Sequence, residues 1–309
     1  MKIEDVRRVV VVGAGTMGRE IGLQCAMHGF DVALYDPAED ALAGAREQHE
    51  AILTDFVAGG QLSMPLKEAT LARITATTDP EAAATEADLL SESVPEQPAL
   101  KREVLAQFNA LCPPRTIFTT NTSSFVPSMF AEASGRPTQF AALHFHHVVW
   151  VSNVVDVMPH PGTAPETVAL LEAFARRIGQ IPIVCQKESH GYVFNAMLNA
   201  LNGAALTLVA NEVASVEDVD RAWMGVMKMP VGPLGILDGV GLDTAYDITS
   251  YWAEALGDPQ LKKNANLLKS YVDEGRLGTK TGEGFYSYPD PAYQQPDFLT
   301  PEEGEGEGE

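Results

Sequence analysis

Four short stretches of this 309-residue chain carry side chains able to move a proton. Asn121-Thr122-Ser123-Ser124 offers an amide and hydroxyls, and Leu143-His144-Phe145-His146-His147 offers imidazoles. Val154-Val155-Asp156-Val157 offers a carboxylate, and Gly191-Tyr192-Val193-Phe194-Asn195 a second amide. Oxidising a secondary alcohol requires loss of the O–H proton as hydride leaves carbon, and histidine is the side chain whose ordinary pKa suits that task near neutral pH. A carboxylate on the other ring nitrogen fixes the tautomer and stabilises the imidazolium. Asp156, twelve residues after His144, is the candidate.

Such a set needs a hydride acceptor beside it, and the N-terminal residues supply a place for one. Gly13-Ala14-Gly15-Thr16-Met17-Gly18 follows an apolar run, Val9 to Val12, and opens a helix-like stretch. In this pattern the first glycine permits a tight turn, the second lets a pyrophosphate approach the backbone, and the third lets the helix pack closely on the sheet. Asp36 stands 18 residues after Gly18, close to the offset at which an acid accepts hydrogen bonds from a ribose 2′-OH. It would repel a 2′-phosphate, so NAD is expected rather than NADP. FAD is the competitor, since the same turn binds its pyrophosphate.

The elements that must position these residues read as strands at 8–12, 31–35, 88–93, 116–120, 140–146, 154–158 and 181–185, separated by longer amphipathic runs. That alternation predicts a parallel sheet with crossover helices. Between the second and third strands, residues 38–58 read as one helix, Gly59-Gly60 ends it, and Pro65 opens another. After residue 188 the strands stop, and helices are expected at 192–211, 216–227, 233–255 and 259–274, with Ser215 to Asp218 as a capping box. The fold expected is α/β: a Rossmann-type, doubly wound parallel sheet over 1–187, then an all-α C-terminal domain over 188–300. Residues 301–309, five glutamates among glycines after a proline, read as an acidic disordered tail.

Composition narrows the function classes. The formal charge is −21, and without the five acids of the terminal run 37 acidic side chains still face 21 basic ones. A chain that neutralises nucleic-acid phosphates or binds an anionic membrane surface cannot easily carry that balance. Three widely spaced cysteines, Cys25, Cys112 and Cys185, fit neither a disulfide framework nor a paired metal site. No stretch reaches the roughly 20 apolar residues that span a bilayer. A cytoplasmic protein is expected, with no nucleic-acid or membrane partner.

Taken in order, the motifs resemble the L-3-hydroxyacyl-CoA dehydrogenase family over nearly the whole chain. The matching residues are Gly13, Gly15, Gly18 and Asp36; Glu92, Glu96 and Lys101; Asn121 to Ser124; His144-Phe145; Gly191 and Asn195; Gly232-Pro233, Leu237-Asp238 and Val240 to Thr244; and Gly278 to Tyr286. The resemblance implies His144 as the base of a His–acid pair, Ser123 on the substrate oxygen, and Asn195 completing the site. It also implies Glu96 and Lys101 near the nicotinamide half of NAD, with Thr16, Met17 and Asn121 among the cofactor contacts, and a homodimer built by the helical domain. Two departures stand out. The family acid is a glutamate, whereas Asp156 is shorter by about one C–C bond, roughly 1.5 Å. The family also continues His-Phe-Phe-Asn-Pro, whereas this chain has His144-Phe145-His146-His147-Val148.

The activity implied is reversible NAD-dependent oxidation of an L-3-hydroxyacyl-CoA. The family's CoA contacts include basic residues on the inserted helix pair, and this region offers Lys67 and Arg73 but also Glu47, Glu50, Asp55 and Glu68. The alternatives are a small 3-hydroxy acid without CoA, such as a sugar acid or a carnitine-like compound, and a non-catalytic NAD-binding structural protein. His144 and His146 would share one strand face near Asp156, which invites a metal reading. The histidines match no known metal spacing and hydride transfer to NAD needs no metal, so none is expected.

Overall fold

The computed structural model describes residues 1–300, and the acidic run expected to be a disordered tail lies outside them. Two compact units divide the chain, Met1–Phe194 and Asn195 onward. The first is built on β1 (Arg8–Val12), whose four consecutive valines are all buried. Val9 and Val11 enter one core cluster while Val10 and Val12 enter another, so the strand is covered on both faces. Helices α1 (Thr16–Met27) and α6 (Pro165–Arg177) supply Ile21, Cys25, Leu171 and Phe174 to the first cluster. Helices α4 (Pro80–Ala84) and α5 (Pro98–Leu111) supply Ala83, Ala84, Leu105 and Phe108 to the second.

The sheet has eight strands: β1, β2 (Asp31–Tyr35), β3 (Ile74–Thr77), β4 (Leu89–Glu92), β5 (Ile117–Thr120), β6 (Phe140–Phe145), β7 (Val154–Pro159) and β8 (Ile181–Val184). Their order is β3-β2-β1-β4-β5-β6-β7-β8. The chain runs outward from β1 to β3 and then returns to place β4 on the other side of β1. The switch point therefore lies between β1 and β4, where open α/β sheets bind their ligands.

Strand β3 is absent from the sequence expectations. It is a four-residue edge strand with two exposed residues, too short to show a period against the helices before it, α2 (Glu39–Ala58) and α3 (Met64–Ala72). The expected parallel sheet is also mixed, because β7 runs antiparallel to β6. Only residues 146–153 join the two, fewer than a parallel crossover requires.

The second unit is helical: α7 (Phe194–Ala210), α8 (Val216–Met227), α9 (Pro233–Val240), α10 (Leu242–Leu256) and α11 (Pro259–Asp273). The single helix expected over 233–255 is two. Gly241 stands at φ +101, a conformation open to glycine, and ends α9 before α10 begins. Ser215 caps α8 by accepting from the Asp218 N–H at 3.1 Å. Two fully buried acids then organise this unit. Asp220 accepts from the first free amides of α9, Leu234 and Gly235, both at 2.9 Å. Asp238 accepts from the Phe285 and Tyr286 amides at 2.8 and 2.9 Å and from the Tyr288 hydroxyl at 3.0 Å. No helix of the described residues is long and apolar enough to cross a membrane.

Candidate active site

The antiparallel turn at β6 and β7 makes the site. His144 and Asp156 are direct cross-strand partners, so their Cβ atoms are held close by the backbone ladder. His144 Nδ1 lies 3.1 Å from Asp156 Oδ2, and both side chains are buried. The aspartate is therefore long enough in this register. His146, two residues on and just past the end of β6, places Nε2 at 3.1 Å from the same Oδ2. His147 goes elsewhere, its Nδ1 at 2.9 Å from Glu20 Oε1 on α1.

Burial pulls Asp156 upward, but the hydrogen bonds from His144 and His146 outweigh it and hold the carboxyl below its ordinary value. It is then an acceptor only, which makes Nδ1 the donor of His144 and leaves Nε2 with the lone pair. Burial lowers the His144 pKa, and Asp156 offsets this only in part. The free imidazole is consequently the resting form. Tyr192 stacks on the His144 ring, with centroids 4.5 Å apart and planes 16° from parallel. Its hydroxyl is fixed by the Thr122 carbonyl at 2.6 Å. The sequence reading quoted this residue within the Gly191–Asn195 stretch but gave it no role. Its signal would have been a tyrosine beside a glycine, close in sequence to a candidate substrate amide.

A cavity of about 330 Å³ opens beside His144 and is lined by Met17, Glu96, Lys101, Asn121 and Ser123 among others. That volume is at the lower end of small-ligand sites. Lys101, 1% exposed, lies 2.8 Å from Glu92 and 3.1 Å from Glu96, and donates to the Val94 carbonyl. Glu96 in turn accepts from the Thr122 hydroxyl and from the Ser123 and Ser124 amides, both at 3.0 Å. Burial raises the Glu96 pKa, but Lys101 and these donors together hold it below the ordinary range. The buried lysine thus holds the serine turn in place through Glu96. Asn121 Oδ1 accepts from the Phe145 amide at 2.8 Å and ties that turn to the strand carrying the base.

The residues of the glycine loop fit NAD on their own geometry. Gly13 takes φ +106, and a Cβ there would lie 2.7 Å from the Ser93 carbonyl oxygen. A Cβ on Gly18 would lie 1.8 Å from the Gly13 carbonyl oxygen, so helix and turn pack too closely for any side chain. A Cβ on Gly15 would meet nothing within 4 Å, which leaves the open approach that a pyrophosphate needs at the N-terminus of α1. Thr16 begins that helix. Asp36 accepts from the Ala14 and Ala38 amides, both at 2.9 Å, and so braces the loop with the carboxylate expected to meet the ribose. It does not line the cavity at His144. Asn195 is the second residue of α7 and opens the second unit.

Comparison with known proteins agrees with this geometry. The family model for the 3-hydroxyacyl-CoA dehydrogenase NAD-binding domain matches residues 8–189, and that for the C-terminal domain of the same family matches 191–288. The human mitochondrial hydroxyacyl-coenzyme A dehydrogenase is 35% identical over 289 residues, covering 92% of this chain and 91% of its own. The solved (S)-3-hydroxybutyryl-CoA dehydrogenase of Ralstonia eutropha is 30% identical with a TM-score of 0.86, covering 93% and 100%. A solved diketoreductase, described as a dual catalyst of dicarbonyl compounds, is 38% identical with a TM-score of 0.83, covering 92% and 99%. The cofactor of the first domain is NAD, and the chain belongs to the 3-hydroxyacyl-CoA dehydrogenase family.

Proposed function

We propose that this protein oxidises the 3-hydroxyl of an L-3-hydroxyacyl-CoA to the 3-keto group, reversibly, with NAD. The observation that carries the reading is the buried His144–Asp156 pair facing a cavity that also holds Ser123. In oxidation, His144 Nε2 takes the hydroxyl proton, and Asp156 Oδ2 holds the Nδ1 proton and stabilises the imidazolium that forms. Ser123 and Asn195 hold the reacting oxygen, and the stacked Tyr192 covers one face of the ring. Bound NAD supplies the hydride acceptor, with Gly13, Gly15, Thr16, Met17, Gly18 and Asp36 holding its nucleotide part and Glu96, Lys101 and Asn121 beside the nicotinamide. In the reverse direction the imidazolium protonates the developing alkoxide. Base catalysis of this kind contributes typically 10²–10⁴-fold, so positioning must supply most of the rest.

One observation favours a second substrate reading. Two of the three Lys and Arg residues of the inserted region, Lys67 and Arg73, already lie against Glu50 and Asp31, with Arg46 on α2 the third. A CoA phosphate would have to compete with those acids, whereas a small free 3-keto acid would not need them. NADH consumption with acetoacetyl-CoA, run beside free acetoacetate and other small 3-keto acids, separates the two. Turnover of the thioester alone supports the CoA reading. Turnover of free acids alone overturns it and keeps the His144 chemistry, and no turnover of either removes the catalytic role.

The assembly we propose is a homodimer formed by the helical unit, whose Val226, Tyr251 and Leu256 are 79%, 65% and 66% exposed. The setting we propose is the cytoplasm, in keeping with three buried, unpaired cysteines.

A further inference from the structure

The base and its acid sit in an arrangement with a second chemical meaning. His144 lies in β6 with Asp156 directly across on the antiparallel β7, and His146 stands two residues on, just past the end of β6. Each imidazole nitrogen is 3.1 Å from Asp156 Oδ2, and one donor atom from each of the three residues lies within 4.8 Å of the others. Metal–ligand bonds of 2.0–2.2 Å in a tetrahedron put ligand atoms roughly 3.4 Å apart, so small side-chain rotations close these three on one ion. The other carboxylate oxygen, Asp156 Oδ1, is buried with no hydrogen-bond partner among the described residues. A dication held by both carboxylate oxygens would satisfy it.

The donor set also selects the ion. Two imidazoles and one carboxylate suit zinc and its neighbours, whereas magnesium and calcium prefer all-oxygen shells. Three protein ligands leave the fourth position to the cavity that both histidines line. The rings are already held: Tyr192 stacks on His144, and the Phe194 ring meets His146 edge-on at 5.4 Å.

We infer that His144, His146 and Asp156 form a binding site for one zinc-like divalent ion, and that its occupancy silences the dehydrogenase. The metal and the proton chemistry use the same atoms. An ion on His144 Nδ1 shifts that ring's proton to Nε2, so the lone pair that would take the hydroxyl proton is lost, and it places a dication beside an imidazole that must become cationic. The site requires His146, one of the residues at which this chain departs from the family pattern.

The test is zinc chloride titration of the chelator-stripped full-length protein, followed by calorimetry and metal analysis, without substrate or NAD. Cobalt(II) serves as a spectroscopic stand-in through its visible absorption. One ion per chain is expected, with His146→Phe weakening binding by roughly 100-fold or more. His147→Asn should keep it, since His147 pairs with Glu20. Circular dichroism and NAD affinity confirm that the His146→Phe variant is folded, and Asp156→Asn replaces it if it is not. Added zinc should abolish wild-type turnover in proportion to occupancy, with chelator restoring it. Absence of saturable binding overturns the site, as does binding that survives His146→Phe or is lost equally in His147→Asn. Because binding is read without substrate, failure of the substrate assay leaves this result standing.

Discussion

Asp156 and Asp238 are both buried carboxylates, 1% and 0% exposed, and they behave in opposite ways. Asp156 takes two imidazoles on one oxygen and leaves the other unpartnered among the described residues, and its pKa is lowered. Asp238 uses both oxygens on two backbone amides and a tyrosine hydroxyl, and its pKa is raised. Burial is the largest influence in each case and pushes both upward. Donors able to take up charge reverse it, and neutral donors with Arg276 at longer range do not. The first arrangement is left open to proton chemistry. The second is saturated and serves to tie the Phe285–Tyr288 segment to α9.

The contrast can be broken most severely at the base. His144→Gln should lower turnover by about 10²–10⁴-fold while sparing NAD affinity and melting temperature. Equal loss of turnover and NAD affinity would make His144 structural. Asp238→Ala should do the reverse, since it strips two amides and a hydroxyl of their acceptor in a buried place. Each orphan costs about 1–3 kcal/mol, so a loss of about 3 kcal/mol or more in urea unfolding of the second unit is expected. Preserved stability would deny the hub its role.

Asp156→Asn tests the middle ground. The lost charged hydrogen bond to the imidazolium, worth about 1.5–3 kcal/mol, should lower turnover about 10–100-fold with a smaller effect on stability. Turnover at the wild-type rate would show that the pair is not used.

The smallest effect is in pH dependence. Glu96 has a folded pKa below its unfolded value, so its contribution to stability is present above that value and lost as pH falls through the folded one. Asp238 has a folded pKa above its unfolded value, so its contribution is present at low pH and lost as pH rises through the folded one. Between about pH 6 and about pH 3, amide protection at Ser123 and Ser124 should fall while that at Phe285 and Tyr286 holds or rises. Parallel changes at both places would contradict the comparison.

The glycine loop was legible in the sequence because each glycine has a separate expected reason, and the structure shows a close backbone approach at Gly13 and Gly18 and open space at Gly15. The meeting of His144 with Asp156 followed from the family resemblance and from a shared offset. Their antiparallel register was there to be read in the shortness of residues 146–153. A strand expected to run to residue 146 would put His144 and His146 on one face, but β6 ends at Phe145, and their meeting on a single oxygen depends on the facing strand. Tyr192 was hidden because its stacking rests on φ +54, which nothing marks for a tyrosine. Asp238 was one letter of a motif, and its partners lie more than 45 residues further along the chain. Gly241 read as part of one helix because apolar residues continue on both sides of it.

Asp36 bears on how coenzyme preference could change in this lineage or in the laboratory. Its carboxylate, the group expected to disfavour a 2′-phosphate, is also the brace that fastens the Ala14 and Ala38 amides. Removing the charge to admit NADP also unfastens the turn, so exchanging this residue alone should weaken both coenzymes. A working conversion needs a second change that restores an acceptor for those two amides, and selection would have to find both steps together.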